Sequence, residues 1–222
     1  MILDDKKYLK TYKFEPVSGA RPQNMVILLH GLGSNGQDLI SLAPFFAKSL
    51  PNTIFLSPDA PFPCDMAPFG HQWFSLQDRD PAKILAGAEA AHPILAAYIT
   101  AQMAAYDLPA SKVALVGFSQ GTMMSLYTAP RFQEALAGVL GYSGALVGAE
   151  GLGDKDIHEV PIHLIHGTAD DVVPFSQMSV AENTLQGHEF PVTTLACHGL
   201  GHSIDGDGID SGTAFLSKAL MP

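Results

Sequence analysis

Cysteine and positive charge are both scarce in this sequence of 222 residues, which has two cysteines and 12 lysines and arginines against 22 acidic residues. So little cysteine excludes a disulfide framework, and we expect Cys64 and Cys197 to be free thiols. The formal net charge of -10 excludes nucleic acid as the main partner, because nucleic-acid binders neutralise phosphates with lysine and arginine.

Long uncharged apolar runs are also lacking. None reaches the ~18 residues of a membrane span, and residues 1–10 hold charged side chains where a signal peptide would be apolar. The sequence therefore predicts a cytoplasmic protein with no membrane span. No repeat, low-complexity tract or charge run marks a linker, so we expect residues 1–222 to form one domain. A homodimer is left open.

Short apolar runs alternate with longer helical stretches along the chain. Strands are predicted at residues 25–30, 53–57, 113–117, 139–142, 162–166 and 192–197, with an edge strand at 8–14. Helices are predicted at 37–50, 82–106, 120–129, 175–186 and 212–219, and Pro93 is expected to kink or break the second. The apolar strands look covered on both faces. The fold class is therefore α/β, a doubly wound and mostly parallel sheet with helices on both faces.

A serine between glycines lies where a predicted strand passes directly into a predicted helix, in the sequence Gly117-Phe118-Ser119-Gln120-Gly121. Such a tight reversal strains the serine backbone, and glycines on both sides avoid Cβ clashes. This context predicts a nucleophile elbow with Ser119 as the nucleophile.

A serine nucleophile needs a base to take its proton and an acid to orient that base. Asp170 lies in the loop after the predicted strand at 162–166, and His202 lies in a glycine-rich loop after the last predicted strand. The order serine, acid, histidine is the one found in α/β-hydrolases. We therefore predict Asp170 as the orienting acid and His202 as the base, with the backbone amides of Leu32 and Gln120 as the oxyanion hole.

Metal binding is the alternative use of these side chains. Pairs at metal-like spacing are His163 with His166 and His198 with His202, but neither pair has a recognisable third ligand. The stretch 205–210 resembles a calcium loop without its closing glutamate, so we expect Asp210 or Ser211 to cap the last helix instead. No metal site is predicted.

Together these motifs resemble the phospholipase/carboxylesterase family that includes the acyl-protein thioesterases. The matching positions are 30–33, 58–61, Trp73, Phe74, 117–121, 166–174 and 201–203. The resemblance implies an α/β-hydrolase that uses Ser119, Asp170 and His202 and needs no metal or organic cofactor. Its HGxxD pattern selects Asp170 over the adjacent Asp171. One departure is Thr122, where the family commonly has a further glycine.

The segment 58–80 is rich in proline and aromatic residues, and it is predicted to wall the acyl site. Met66, Trp73, Phe74 and Val173 are the predicted substrate-binding residues, although a loop that simply packs on the core is the alternative for this segment. The resemblance implies short to medium acyl esters or thioesters as substrates, with acylated proteins and lysophospholipids as further candidates. Dienelactone-hydrolase and peptidase activities are enzymatic alternatives. A non-catalytic binding domain is the rival from another class.

Overall fold

A seven-stranded sheet forms the centre of the computed structural model, which describes residues 9–221. Its strands follow the order β1-β3-β2-β6-β7-β8-β9. Only β1 is antiparallel to its neighbour, while all the other pairs are parallel. The strands are β1 Thr11–Phe14, β2 Asn24–Leu29, β3 Thr53–Pro58, β6 Val113–Phe118, β7 Gly138–Tyr142, β8 Ile162–Gly167 and β9 Val192–Cys197, and β4 Phe62–Pro63 with β5 His71–Gln72 forms a separate hairpin.

Helices cover both faces of the sheet, as predicted. They are α1 Gly36–Leu39, α2 Ala43–Ala47, α3 Pro81–Tyr106, α4 Gln120–Arg131, α5 Ser176–Gly187 and α6 Gly206–Leu220. One apolar cluster holds side chains of α3, α4 and α5, and a second holds side chains of α2 and α6. Successive residues of a strand contribute to opposite clusters, which explains why the central strands are apolar at every position. The predicted fold class is confirmed.

The strand predictions agree with the structure within one residue for the six apolar strands. The edge strand predicted at 8–14 corresponds to β1, which begins only at Thr11, and Tyr8 lies outside the described residues. The expectation that all six are covered on both faces is wrong for β9, in which Thr193 and Ala196 are exposed. The reason is that β9 is the last strand of the sheet, so the flanking helices reach only part of it. Cys64 and Cys197 are both free and buried.

Three helix predictions need correction. The stretch predicted at 37–50 is divided into α1, a short 3₁₀ turn and α2. Helix α3 continues through Pro93, because the hydrogen bond that proline removes would go to Glu89 on the exposed side of the helix, where water can replace it. Helix α6 begins at Gly206, since Asp205 accepts a hydrogen bond from the Gly208 amide at 2.8 Å and caps the helix in place of Asp210 or Ser211.

By length and mean hydropathy alone, α3 is a helix that could cross a membrane. Buried helices of globular proteins pass the same test, so one such helix is weak support for a span. The residues that α3 buries in the protein are Ala88, Ala91, Leu95, Tyr98 and Ile99.

Candidate active site

Ser119 is the single residue that joins β6 to α4. Its backbone has φ 54° and ψ -116°, a strained conformation for any residue with a Cβ atom. The strain is held in place from both sides. The Ser119 amide donates to the Tyr142 carbonyl at 2.9 Å, and the Ser119 carbonyl accepts from the Thr122 amide at 2.9 Å.

The glycines of the elbow allow close approach of the backbone, as predicted. A Cβ atom on Gly121 would collide with the carbonyl oxygen of Leu29, and one on Gly117 would collide with the backbone of Thr122. The start of α4 therefore packs directly against the end of β2. As a result Ser119 lies beside the loop after β2, where a Cβ atom on Gly31 would be 3.2 Å from that of Ser119.

Asp170 follows β8 and its carboxylate is fully enclosed. Oδ1 accepts the backbone amides of Val172 at 2.9 Å and Val173 at 2.8 Å, and Oδ2 accepts Nδ1–H of His202 at 2.8 Å. A second imidazole is close, because His166 Nε2 lies 3.2 Å from Oδ2 and donates to the Val173 carbonyl at 2.9 Å. The carboxylate is thus held rigidly with one oxygen directed at His202.

These contacts decide the charge of Asp170. Burial is the largest single influence and raises the pKa of the carboxyl, but the hydrogen bonds from His202, Val173 and Val172 together outweigh it and the net pKa is lowered. Asp170 is therefore ionised at neutral pH. An ionised Oδ2 can only accept, so His202 carries its proton on Nδ1 and leaves Nε2 as an acceptor.

His202 lies on the wall of a cleft of about 510 Å³ that also exposes Ser119. Its ring packs against Phe118, with the two ring centroids 4.8 Å apart. Leu32 and Val173, two further predicted site residues, line the same cleft. Most other lining residues are apolar, namely Leu39, Leu76, Ile84, Phe118, Met123, Ala145, Val172 and Pro174. The cleft thus combines a strained serine, a paired histidine and an apolar wall.

Two backbone amides beside Ser119 are free to bind an anion. The Gln120 amide is at the first position of α4, where a helix offers no internal acceptor. Within residues 9–221, neither this amide nor that of Leu32 donates a hydrogen bond to a protein acceptor. Both are the amides that the sequence predicts for the oxyanion hole.

Met66, Trp73 and Phe74 do not line the cleft, contrary to expectation. Trp73 and Phe74 are buried, because large aromatic side chains are stabilised by full burial, whereas Met66 is exposed. The backbone of this segment holds the elbow instead. The Gln120 side chain accepts from the Trp73 amide at 3.0 Å and donates to the Phe74 carbonyl at 2.8 Å. From the segment 58–80, Leu76 and Arg79 reach the cleft.

His30 fixes the loop that carries Leu32. Its Nδ1 donates to the Gly31 carbonyl at 2.7 Å and its Nε2 accepts the Ala60 amide at 2.9 Å. Burial lowers the pKa of His30 despite the bond to Gly31, so the ring is neutral. Within the described residues, no group of three or more histidine, cysteine, aspartate or glutamate side chains is arranged to bind a metal ion.

The chain is similar in sequence and structure to several known proteins. The family model described as phospholipase/carboxylesterase matches residues 16–220. Acyl-protein thioesterase 1 homolog 1 of Dictyostelium discoideum is 28% identical over 88% of this chain and 90% of its own length. Esterase YpfH of Escherichia coli K12 is 28% identical over 82% and 77%. The crystal structure of esterase PE8 is 41% identical, covers 96% of this chain and 99% of its own, and has a TM-score of 0.90.

Proposed function

The chain belongs to the phospholipase/carboxylesterase family of ester hydrolases, and from that premise we propose that it hydrolyses short to medium acyl esters or thioesters through an acyl-enzyme on Ser119. The observation that carries this proposal is the pairing of Asp170 with His202 at 2.8 Å on the wall of the cleft that exposes Ser119. A binding protein would have no need of a strained serine, an oriented imidazole and free amides in one cleft.

Acylation begins when Nε2 of His202 takes the proton from Oγ of Ser119 and Oγ attacks the acyl carbonyl carbon. The amides of Leu32 and Gln120 bind the oxyanion of the tetrahedral intermediate. The imidazolium then gives its proton to the departing alcohol or thiol as the carbon–oxygen or carbon–sulfur bond breaks. Throughout this step Asp170 stays ionised and stabilises the charged ring.

Deacylation repeats the sequence with water as the nucleophile. His202 takes a proton from water, the hydroxide attacks the acyl-enzyme, and the proton returns to Oγ as the carboxylic acid leaves. Every proton is therefore moved between groups of the chain, the substrate and water. No metal or organic cofactor takes part in the proposed cycle.

Chain-length preference should follow from the shape of the cleft. A second groove of about 660 Å³ shares Ile84, Met123, Ala145 and Gln177 with the catalytic cleft and continues away from Ser119. A short acyl chain fits in the first space, and a medium chain would extend into the second. Lysophospholipids would need this extension too, so they remain a second candidate substrate.

Labelling with a fluorophosphonate probe tests the proposal directly. We expect a covalent adduct on Ser119, located by peptide mass spectrometry, and turnover in a panel of p-nitrophenyl esters, acyl thioesters and lysophospholipids. Heat-denatured protein is the control for non-specific labelling. An unlabelled serine in the folded protein would instead indicate a binding domain.

Enlarging Ala145 should shorten the accepted acyl chain. Ala145 lines both the catalytic cleft and the adjoining groove, so Ala145→Phe would close the passage between them. We expect kcat/KM for octanoyl esters to fall at least ~10-fold, because each apolar methylene that loses its contacts weakens binding by about 0.8 kcal/mol. The acetyl ester is the internal control and should be hydrolysed as before. Equal losses for both esters would argue against the groove as an acyl site.

Activity should fall on mild acidification. A doubly protonated His202 cannot accept the proton of Ser119, so protonation of the base prevents acylation. The lowered pKa of Asp170 keeps that carboxylate charged there, so kcat/KM should follow one protonation. A profile that stays flat from neutral to mildly acidic pH would exclude His202 as the base.

The control for this experiment is the folded fraction at each pH. Burial lowers the pKa values of His30, His92 and His163, so the unfolded chain binds more protons than the folded one once the pH falls below about 6.5. Stability therefore declines as the pH falls through that range. Activity must be assayed well below the melting temperature measured at the same pH.

A further inference from the structure

Arg79 lines the catalytic cleft and has no partner for its charge. In the part of the chain that the structure describes, its guanidinium forms no ion pair and donates no hydrogen bond to another residue. The other two arginines of the sequence are both engaged. Arg21 forms an ion pair with Asp107 at 3.1 Å, and Arg131 donates to the Gly148 carbonyl at 2.6 Å. The guanidinium of Arg79 is therefore available to a ligand in the cleft.

The acidic neighbours of Arg79 along the chain are held by other bonds. Oδ1 of Asp80 accepts the Ala82 amide at 2.9 Å and caps α3, and Oδ1 of Asp78 accepts the Asp80 amide at 3.0 Å. Neither carboxylate forms an ion pair with Arg79 in the described structure. These local bonds fix the turn that precedes α3, so the backbone of Arg79 has a defined place at the start of that helix.

The cleft around Arg79 is mostly apolar. Leu76 and Ile84, which flank Arg79 along the chain, line the same cleft. Among the described lining residues Asp38 is the other side chain of fixed charge, and its Oδ2 already accepts the Ser34 hydroxyl at 2.7 Å. In ligand sites a few polar groups on an apolar wall set specificity. The planar guanidinium offers two parallel N–H donors, an arrangement that matches a carboxylate.

Charge in the adjoining groove limits how far from Ser119 an anion is favoured. Ile84, near the start of α3, lines both the cleft and the groove of about 660 Å³ that continues from it. Glu150 also lines that groove and is exposed. A carboxylate near Arg79 is attracted, whereas one that extends along the groove approaches Glu150 and is repelled. The arrangement therefore favours a short chain between the reacting carbonyl and the anion.

We propose that Arg79 is an anion subsite for the acyl group and that the substrates are half-esters or half-thioesters of short dicarboxylic acids. This inference rests on the proposed function, because it assigns a substrate class to the same Ser119 chemistry. The N–H groups of Arg79 donate to the free carboxylate while the esterified carbonyl lies at Ser119. Attack by Oγ releases the alcohol or thiol, and water then releases the dicarboxylic acid. The free carboxylate is unchanged by both steps.

Two methyl esters of equal size separate charge from shape. Monomethyl glutarate is anionic at neutral pH, and the methyl ester of glutaric monoamide is its neutral counterpart. Arg79 is exposed, so Arg79→Gln should fold like the wild type. We expect its kcat/KM for monomethyl glutarate to fall about tenfold, mainly through KM, because substrate and transition state share the lost contact. Its kcat/KM for the neutral ester should stay within about twofold of the wild-type value.

Lys83→Gln is the matched control. Lys83 is exposed in the first turn of α3 and lines neither the cleft nor the groove. The variant loses the same charge, so it should hydrolyse both esters like the wild type. Arg79→Lys keeps the charge without the planar pair of donors and should lose less than Arg79→Gln. With monomethyl sebacate, whose longer chain carries the anion past Arg79, the effect of Arg79→Gln should be smaller than with the glutarate.

The outcomes separate this inference from the proposed function. The subsite would be overturned by an unchanged kcat/KM for monomethyl glutarate in Arg79→Gln, by equal losses for the two esters of glutaric acid, or by an equal loss in Lys83→Gln. Wild-type hydrolysis of the neutral ester alone would overturn the substrate class. In each case an ester is still hydrolysed, so the proposed function stands. If no ester is hydrolysed and Ser119 takes no fluorophosphonate, the proposed function fails and the substrate class fails with it.

Discussion

Alanine in place of Ser119 should lower ester hydrolysis by roughly 10³-fold or more, the scale seen when a member of a catalytic triad is removed. The substitution deletes one oxygen and leaves the Cβ atom, so the backbone strain at φ 54° is the same in both proteins. Ser119 lines an open cleft, so no close packing depends on Oγ. The variant should therefore fold like the wild type, and kcat measured on the purified protein reports the chemical role alone.

Ser143→Ala is the matched control for this experiment. Ser143 also has a positive φ, 47°, and directly follows the neighbouring strand β7. It is buried, and its Oγ has no hydrogen-bond partner within the described part of the chain. Removing that Oγ should leave kcat unchanged. If Ser119→Ala retained near-normal turnover, or if both variants lost activity equally, the nucleophile would not be Ser119.

Features that depend on local sequence could be predicted. The central strands are apolar at every position because the sheet is covered on both faces. Continuous apolar runs of this kind are typical of parallel sheets, so the strands can be predicted from them. The elbow could be found for a similar reason. A reversal from strand to helix around Ser119 needs Gly117 and Gly121 at fixed positions. The elbow can therefore be recognised from the sequence alone.

Features that depend on tertiary contacts could not be predicted. Composition indicates that the segment 58–80 must bury apolar groups, but it does not say against what. Trp73 is buried with its indole N–H donating to the His30 carbonyl at 3.0 Å, while Leu76 reaches the cleft. The wall residues Met123 and Ala145 were missed because they come from a helix turn and a loop that only the fold brings together.

Helix boundaries also depend partly on local sequence and partly on tertiary contacts. The start of α6 contains Gly206, Gly208 and Gly212, which lower helix propensity and hide the first turns from a sequence pattern. In the fold, the Asp205 cap and the bond from the Tyr142 hydroxyl to the Gly208 carbonyl at 3.0 Å hold this end in place. From the sequence, His166 is placed at the end of a predicted strand and in a pair with metal-like spacing, with no indication of a contact to Asp170. The structure places its Nε2 at 3.2 Å from the Asp170 carboxylate.

The contacts of Asp170 lead to the second large effect, a loss of kcat of up to ~10⁴-fold in Asp170→Asn, the scale for a triad acid replaced by its amide. Oδ1 accepts the Val172 and Val173 amides, so the asparagine oxygen would keep that position. Its amide nitrogen would then face Nδ1 of His202. Two donors cannot bond, and the ring would have to move its proton to Nε2, where it can no longer accept from Ser119.

Asp171→Asn is the matched control, because the two aspartates are adjacent and the substitution is the same. Asp171 is exposed, and α5 begins only at Ser176 without an acidic residue in its first turn. Asp171 therefore lies outside the first turn of α5, where its charge would have little effect on the helix dipole, and any change in stability should stay below about 1 kcal/mol. Measuring kcat and melting temperature for both variants decides the assignment. A severe loss of kcat confined to Asp171→Asn would exclude Asp170, whereas a loss confined to Asp170→Asn, with both proteins folded, would identify the carboxylate that orients His202.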